Sequence, residues 1–113
     1  MEDGLSRIVR KIIDSNGWLN GWYDYQDGDL MAMVNQPEKF EEVSEVNDLQ
    51  ELYRLLRSYD GTFKYGKLLF FRDWRYGTFV YDIDKPESYV EHLSMDAISL
   101  ERFIEIVNEL LDR

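Results

Sequence analysis

The stretch that most constrains the fold lies between residues 66 and 84, where two apolar segments flank a short polar turn. Its Phe, Tyr, Val and Ile content predicts a β-hairpin with strands over residues 67–72 and 76–83. Residues 68–71 are all apolar, so we expect the first strand to be covered on both faces. An isolated hairpin is marginal in water, and the rest of the chain must therefore pack on this one.

Three amphipathic segments predict helices over residues 3–15, 48–59 and 99–112, because each has apolar residues spaced three and four apart. Asn47 is the predicted cap of the second helix, and Tyr59 is predicted to close its buried stripe. The third helix presents an acidic outer face and an apolar inner face. We expect each apolar stripe to pack against the sheet.

The remaining strands are predicted from shorter segments. They cover residues 18–26, 29–35, 40–46 and 88–94. Asp27 and Gly28 suit a type I′ turn between the first two, while residues 62–65 either lead into the central hairpin or form a short strand. The order α-βββ-α-βββ-α predicts an α+β domain, with helices packed on one side of an antiparallel sheet of two hairpin-based units.

An internal repeat is suggested within a single 113-residue domain, between residues 16–60 and residues 65–113. A shift of 49 positions superposes the hairpins, and two more inserted residues carry the match into the helices. The matched pairs include Gly17 with Gly66, Gly28 with Gly77 and Pro37 with Pro86. The alternative is chance agreement between two similar units of hairpin and helix.

The net charge of −10 is distributed in blocks. Residues 1–23 are neutral, residues 24–51 carry −8, residues 52–81 carry +4 and residues 82–113 carry −6. The acidic blocks either solvate the surface or form a negative face for a basic partner. Nucleic-acid binding by the whole domain is disfavoured, because phosphate binding needs a net density of cations.

Few residues suit catalysis or metal binding. The chain has no cysteine and one histidine, His92, which is interpreted as structural. Asp82 and Asp84 could form a carboxylate pair, but at a strand end we expect them to meet solvent. We predict no catalytic residue, no metal and no cofactor. No run of about 18 apolar residues is present, so we expect a cytoplasmic protein that does not enter membranes.

The aromatic residues are the strongest functional signal, with three Trp, eight Tyr and six Phe in 113 residues. A core of this size cannot hold them all, so some should be exposed and available to a partner. The predicted binding residues are Arg72, Trp74, Arg75, Tyr76, Trp22 and Tyr25. In the competing interpretation the hairpin tip folds back and Trp74 covers the end of the core.

Helix one, the Asp27-Gly28 hairpin and the closing run YVEHLSMDAISLERFIEIVNELL, residues 89–111, together resemble the type III secretion chaperone-like superfamily, which includes YbjN-like proteins. In that family a strand, a short polar link and an acidic amphipathic helix follow one another in the same way. The resemblance implies a homodimer that binds partner polypeptides and catalyses nothing.

We therefore expect a non-enzymatic binding protein, acidic and dimeric, that recognises another polypeptide. The alternative is a small nucleic-acid or nucleotide binder that uses the basic and aromatic residues 54–76, in which bases stack on aromatic rings and arginine neutralises phosphate. A carboxylate-centred enzyme is the third hypothesis. Salt-tolerant peptide binding would favour the first hypothesis and a steep salt dependence the second.

Overall fold

The computed structural model describes residues 4–15, 38–74 and 77–113. The helices are α1 (Gly4–Ser15), α2 (Glu38–Glu41), α3 (Leu49–Ser58) and α4 (Leu100–Leu111), and a 3-10 turn covers Met95–Ala97. The strands are β1 (Val43–Glu45), β2 (Gly61–Tyr65), β3 (Leu68–Asp73), β4 (Gly77–Asp82) and β5 (Glu91–Leu93). The predicted strands over residues 18–26 and 29–35, with their turn, lie outside the described residues.

The described strands form one five-stranded mixed sheet in the order β1-β2-β3-β4-β5. Strands β2 to β5 pair antiparallel, as expected, but β1 pairs parallel with β2, with Val43 opposite Thr62. The prediction of an antiparallel sheet is therefore wrong for β1. A parallel pair needs a crossover connection, and α3 supplies it between the end of β1 and the start of β2.

The central hairpin is confirmed as the middle of the sheet, with Phe71 of β3 opposite Phe79 of β4. Leu69 and Phe71 face one core cluster, and Leu68 and Phe70 face the other. Both faces of β3 are covered, as the run of apolar residues predicted, and Phe79 is also fully buried.

Helices cover both faces of the sheet, which corrects the expectation that they lie on one side. Val9, Ile12 and Ile13 of α1 pack with Phe40 of α2 in the first cluster. Leu52 and Leu56 of α3 and Phe103, Val107 and Leu110 of α4 pack in the second. The reason is the two-sided apolar character of β3, because one helix layer would leave half of its side chains in water.

The prediction of a strand over residues 40–46 is only partly right. The segment begins in the short helix α2 and becomes extended at Val43–Glu45. Phe40 lies on α2, fully buried against α1, and Val46 is buried in the opposite cluster. A helical turn followed by a strand lets the two side chains reach opposite faces of the sheet.

The start of α3 is one residue later than predicted. Its N-cap is Asp48, whose carboxylate accepts a hydrogen bond from the Glu51 backbone N–H at 3.2 Å, so Asn47 is not the cap. The start of α4 is likewise one residue later than predicted, because Ser99 is its N-cap and the Ser99 hydroxyl accepts a hydrogen bond from the Arg102 N–H at 3.1 Å.

The number of strands after α3 differs from the three in the predicted order. Residues 61–65 form the strand β2, which agrees with one of the two alternatives for residues 62–65, so four strands follow α3. The last strand, β5, is shorter than residues 88–94. The 49-residue repeat stays a prediction, because residues 16–37, which would form its first hairpin, lie outside the described residues.

Candidate functional site

Two of the six predicted binding residues, Arg72 and Trp74, lie in the part of the chain that the structure describes. The other four, Trp22, Tyr25, Arg75 and Tyr76, lie outside it, and their role stays a prediction. The described part of the site therefore consists of the end of β3 and the elements that contact it.

Trp74 directly follows β3 and is 68% exposed. Its backbone N–H donates a hydrogen bond to Asp60 Oδ1 at 2.9 Å. The interpretation in which the ring of Trp74 covers the end of the core does not hold, because most of the residue is accessible to solvent. The backbone at this position is fixed by a hydrogen bond, and most of the residue is accessible to solvent.

Asp60 holds three groups from different parts of the chain. Its Oδ1 also accepts from Arg72 Nη1 at 2.6 Å, and its Oδ2 lies 3.2 Å from Lys39 Nζ. The side chains of Arg72 and Asp60 are each only 14% exposed. Arg72 thus directs its charge inward, and it positions the Trp74 backbone through the carboxylate that both contact.

Tyr59 is not buried, contrary to the prediction from the sequence. It was assigned to the buried stripe of the second helix, but α3 ends at Ser58 and Tyr59 adopts an extended conformation that leaves it 55% exposed. The chain has to leave the helix here because Asp60 and Gly61 lead directly into β2. The sequence signal that could have found this is the Asp60-Gly61 pair, which favours an end of the helix before Tyr59.

Tyr59 and Trp74 are the large apolar side chains that are exposed among the described residues. Tyr59 immediately precedes Asp60, and the Asp60 carboxylate accepts a hydrogen bond from the Trp74 backbone N–H. We call the surface formed by these three residues the Tyr59–Trp74 edge. It brings one predicted binding residue together with an aromatic residue that sequence reasoning missed.

A groove of about 450 Å³ runs along α3 beside this edge. It is lined by Tyr53, Arg54, Arg57, Ser58 and Asp96, and we call it the Arg57 groove. Arg57 Cζ lies 5.3 Å from the centroid of the Tyr53 ring, a cation–π contact. The spacing of Tyr53 and Arg57, four residues apart on a helix, is the signal from which this contact could have been predicted.

The groove and the edge are connected through the chain, because Arg57 and Ser58 line the groove and Tyr59 and Asp60 directly follow them. Arg72 Nη2 donates to the Arg57 backbone carbonyl at 3.4 Å while its Nη1 binds Asp60. Arg72 therefore links the wall of the groove to the carboxylate that fixes Trp74.

Most described cations of the basic block 52–81 are paired with carboxylates of the same chain. The ion pairs are Arg54 with Glu51 at 2.5 Å, Lys64 with Glu45 at 3.2 Å, Lys67 with Asp82 at 3.5 Å and Arg72 with Asp60 at 2.6 Å. The hydrogen bond from Arg54 lowers the pKa of the Glu51 carboxyl, and the same bond raises the pKa of Arg54. The cation density that the sequence suggested is thus largely neutralised.

The expectation that Asp82 and Asp84 meet solvent is right for Asp84 and wrong for Asp82, which is buried at the end of β4. The Asp82 carboxylate lies 3.5 Å from Lys67 Nζ and accepts a hydrogen bond from the Asp84 N–H at 2.8 Å, so it shapes a turn. The ring of His92 stacks on Phe79, with centroids 4.5 Å apart. Among residues 4–15, 38–74 and 77–113, no three His, Asp or Glu side chains are grouped in a way that could hold a metal ion.

None of the described helices combines the length and the apolar character needed to cross a bilayer. Comparison of the chain with protein-family models, with curated proteins and with solved structures finds no match.

Proposed function

We propose that this protein is a non-enzymatic binding protein that recognises another polypeptide through the Tyr59–Trp74 edge. The observation that carries the proposal is the exposure of Trp74, 68%, at a position whose backbone is held by Asp60. A large ring left in water is unfavourable unless a partner covers it.

The composition of the edge suits a protein interface. Trp and Tyr provide large contact areas with few rotatable bonds, and they are enriched among the residues that dominate binding energy. Asp60 accepts hydrogen bonds from Arg72 and from the Trp74 backbone N–H. These bonds hold this position in place before binding, which reduces the entropy lost on association.

The homodimer and the chaperone-like role implied by the family resemblance remain part of this proposal. Sedimentation equilibrium of the purified chain over a range of concentrations tests the dimer directly. Dissociation of a dimer by Trp74→Ala would identify a second copy as what covers the edge. A dimer that Trp74→Ala leaves intact would assign the edge to a different polypeptide.

The described cations do not favour the alternative of nucleic-acid binding. Binding to phosphates gains affinity from cations that release counterions, and Arg54, Lys64, Lys67 and Arg72 are already paired with carboxylates. The net charge of −10 adds a repulsion that such a partner would have to overcome.

The proposal is tested by capture from native extract on immobilised protein, followed by quantitative mass spectrometry. The wild type is compared with Trp74→Ala and with Lys85→Ala, an exposed residue in the turn after β4. We expect a defined set of polypeptides on the wild type and on Lys85→Ala, reduced at least tenfold on Trp74→Ala. Equal recovery on all three proteins, or recovery of nucleic acid alone, would contradict the proposal.

A further inference from the structure

Among the described cations of the basic block, Arg57 differs from the others in having no ion pair with a carboxylate. Arg54, one turn earlier on α3, is paired with Glu51, and the other described cations of the block are paired as well. Among the described residues, no carboxylate forms an ion pair with Arg57. Its guanidinium lines the groove and retains the capacity to bind an anion.

The side chain of Arg57 is held in place before any ligand arrives. Its guanidinium lies over the Tyr53 ring, and that ring is fixed by a hydrogen bond from its hydroxyl to the Ile98 carbonyl at 2.6 Å. Tyr53 also packs on Phe103, with centroids 5.5 Å apart. A guanidinium that lies over an aromatic face keeps N–H donors available for a carboxylate, and the contact restricts part of its side-chain motion before binding.

The remaining walls limit which anion fits. A groove of about 450 Å³ has room for one or two side chains. Ser58 contributes a hydroxyl group, while Asp96 contributes a carboxylate whose repulsion of a bound anion grows with the charge of that anion. A single carboxylate next to a hydrogen-bond donor is therefore favoured over a polyanion.

We infer that the Arg57 groove binds the carboxylate side chain of an Asp or Glu in the partner polypeptide, with Arg57 as the residue that contacts it. This inference rests on the proposed function, because the adjoining Tyr59–Trp74 edge would take the apolar residues beside that carboxylate. Charge complementarity favours this occupant. Arg57 has no ion pair among the described residues and lies two positions before the exposed Tyr59, so an acidic residue with an apolar neighbour matches both.

The test is an NMR titration of isotopically labelled full-length protein with N-acetyl-glutamate N-methylamide. We expect saturable shifts at the Arg57 Nε–H and at Tyr53 and Ser58, with a dissociation constant on the order of millimolar, as befits one exposed contact. The neutral probe N-acetyl-glutamine N-methylamide should give none. Arg57→Gln should abolish the shifts, and Arg102→Gln, a matched change on the exposed face of α4, should leave them intact.

Three results would overturn the inference. Absence of shifts with the glutamate probe would show that the groove does not bind carboxylates. Stronger shifts at Arg57 with inorganic phosphate than with the glutamate probe would identify a phosphate ligand. Shifts at Arg57 that depend on protein concentration with no probe present would identify a second copy of the chain as the occupant.

The two proposals can fail separately. The probe titration reports on the groove alone, whereas capture by Trp74→Ala reports on the edge. Saturable probe binding together with unchanged capture by Trp74→Ala would reject the proposed function and leave carboxylate binding standing. Loss of capture with Trp74→Ala but not with Arg57→Gln would reject the acidic residue and leave the edge standing.

Discussion

At the scale of single residues, Tyr81 and Tyr53 show that the contribution of a buried hydroxyl group to stability depends on whether it forms a hydrogen bond. The Tyr81 hydroxyl is buried between α1 and the sheet and has no hydrogen-bond partner among the residues that the structure describes. The Tyr53 hydroxyl donates to the Ile98 carbonyl at 2.6 Å. A buried polar group without a partner loses its hydration and gains nothing in return.

Tyr81→Phe should therefore leave the free energy of unfolding unchanged or raise it slightly at neutral pH. Tyr53→Phe should lower it by about 1 kcal/mol, because a formed hydrogen bond is lost. Urea denaturation of both variants beside the wild type measures the difference. A clear loss of stability in Tyr81→Phe would mean that its hydroxyl has a partner.

Tyr81 also makes stability depend on pH at the alkaline end. Burial raises the pKa of its hydroxyl well above the ordinary value. The unfolded chain releases this proton above about pH 10 while the folded protein retains it, so this contribution is complete below that pH and is lost as pH rises further.

We expect the unfolding free energy of the wild type to fall more steeply above about pH 10 than that of Tyr81→Phe. Urea denaturation at a series of alkaline pH values measures both slopes. Parallel curves for the two proteins would show that Tyr81 titrates at its ordinary pKa.

At the scale of the elements, the stability of α3 depends on its N-cap, because the helix is short and starts at Leu49, shortly after β1 ends at Glu45. Asp48→Ala should destabilise the protein by about 1 kcal/mol, since its carboxylate satisfies the Glu51 N–H. Asn47→Ala, at the cap that the sequence favoured, should have little effect. Thermal melts of the two variants decide the position, and the reverse order would contradict the cap described here.

The helix α4 is held to the sheet mainly through Phe103, which is fully buried and contacts the rings of Phe70 and Tyr53. Phe103→Ala should lower the unfolding free energy by about 3–5 kcal/mol, since the change leaves a cavity in the second core cluster. Its exposed neighbour Arg102→Ala is the control. Equal denaturation midpoints for wild type and Phe103→Ala would mean that α4 does not pack on the sheet.

At the scale of the whole molecule, the local patterns predicted most of the described architecture. The hairpin around Phe70 and Phe79 and the long helices were predictable because their periodicity and turn residues lie close together in sequence. The parallel pairing of β1 was not, since it depends on where α3 returns the chain.

The candidate site was predictable in part for the same reason. The exposure of Trp74 follows from its place beyond the end of a strand. The exposure of Tyr59 depends on where α3 ends, and the missing ion pair of Arg57 depends on which carboxylates meet the other cations once the chain has folded. Neither the exposure of Tyr59 nor the missing ion pair of Arg57 can be predicted from composition alone.

The central claim is that Trp74 forms a contact surface for a polypeptide. The measurement that tests it most directly is the affinity of wild type and Trp74→Ala for the captured polypeptide or for a second copy, with thermal melts of both proteins in parallel. We predict a loss of affinity of more than about 2 kcal/mol, roughly thirtyfold, with almost no change in Tm. Unchanged affinity together with a large fall in Tm would contradict the account and make Trp74 part of the core.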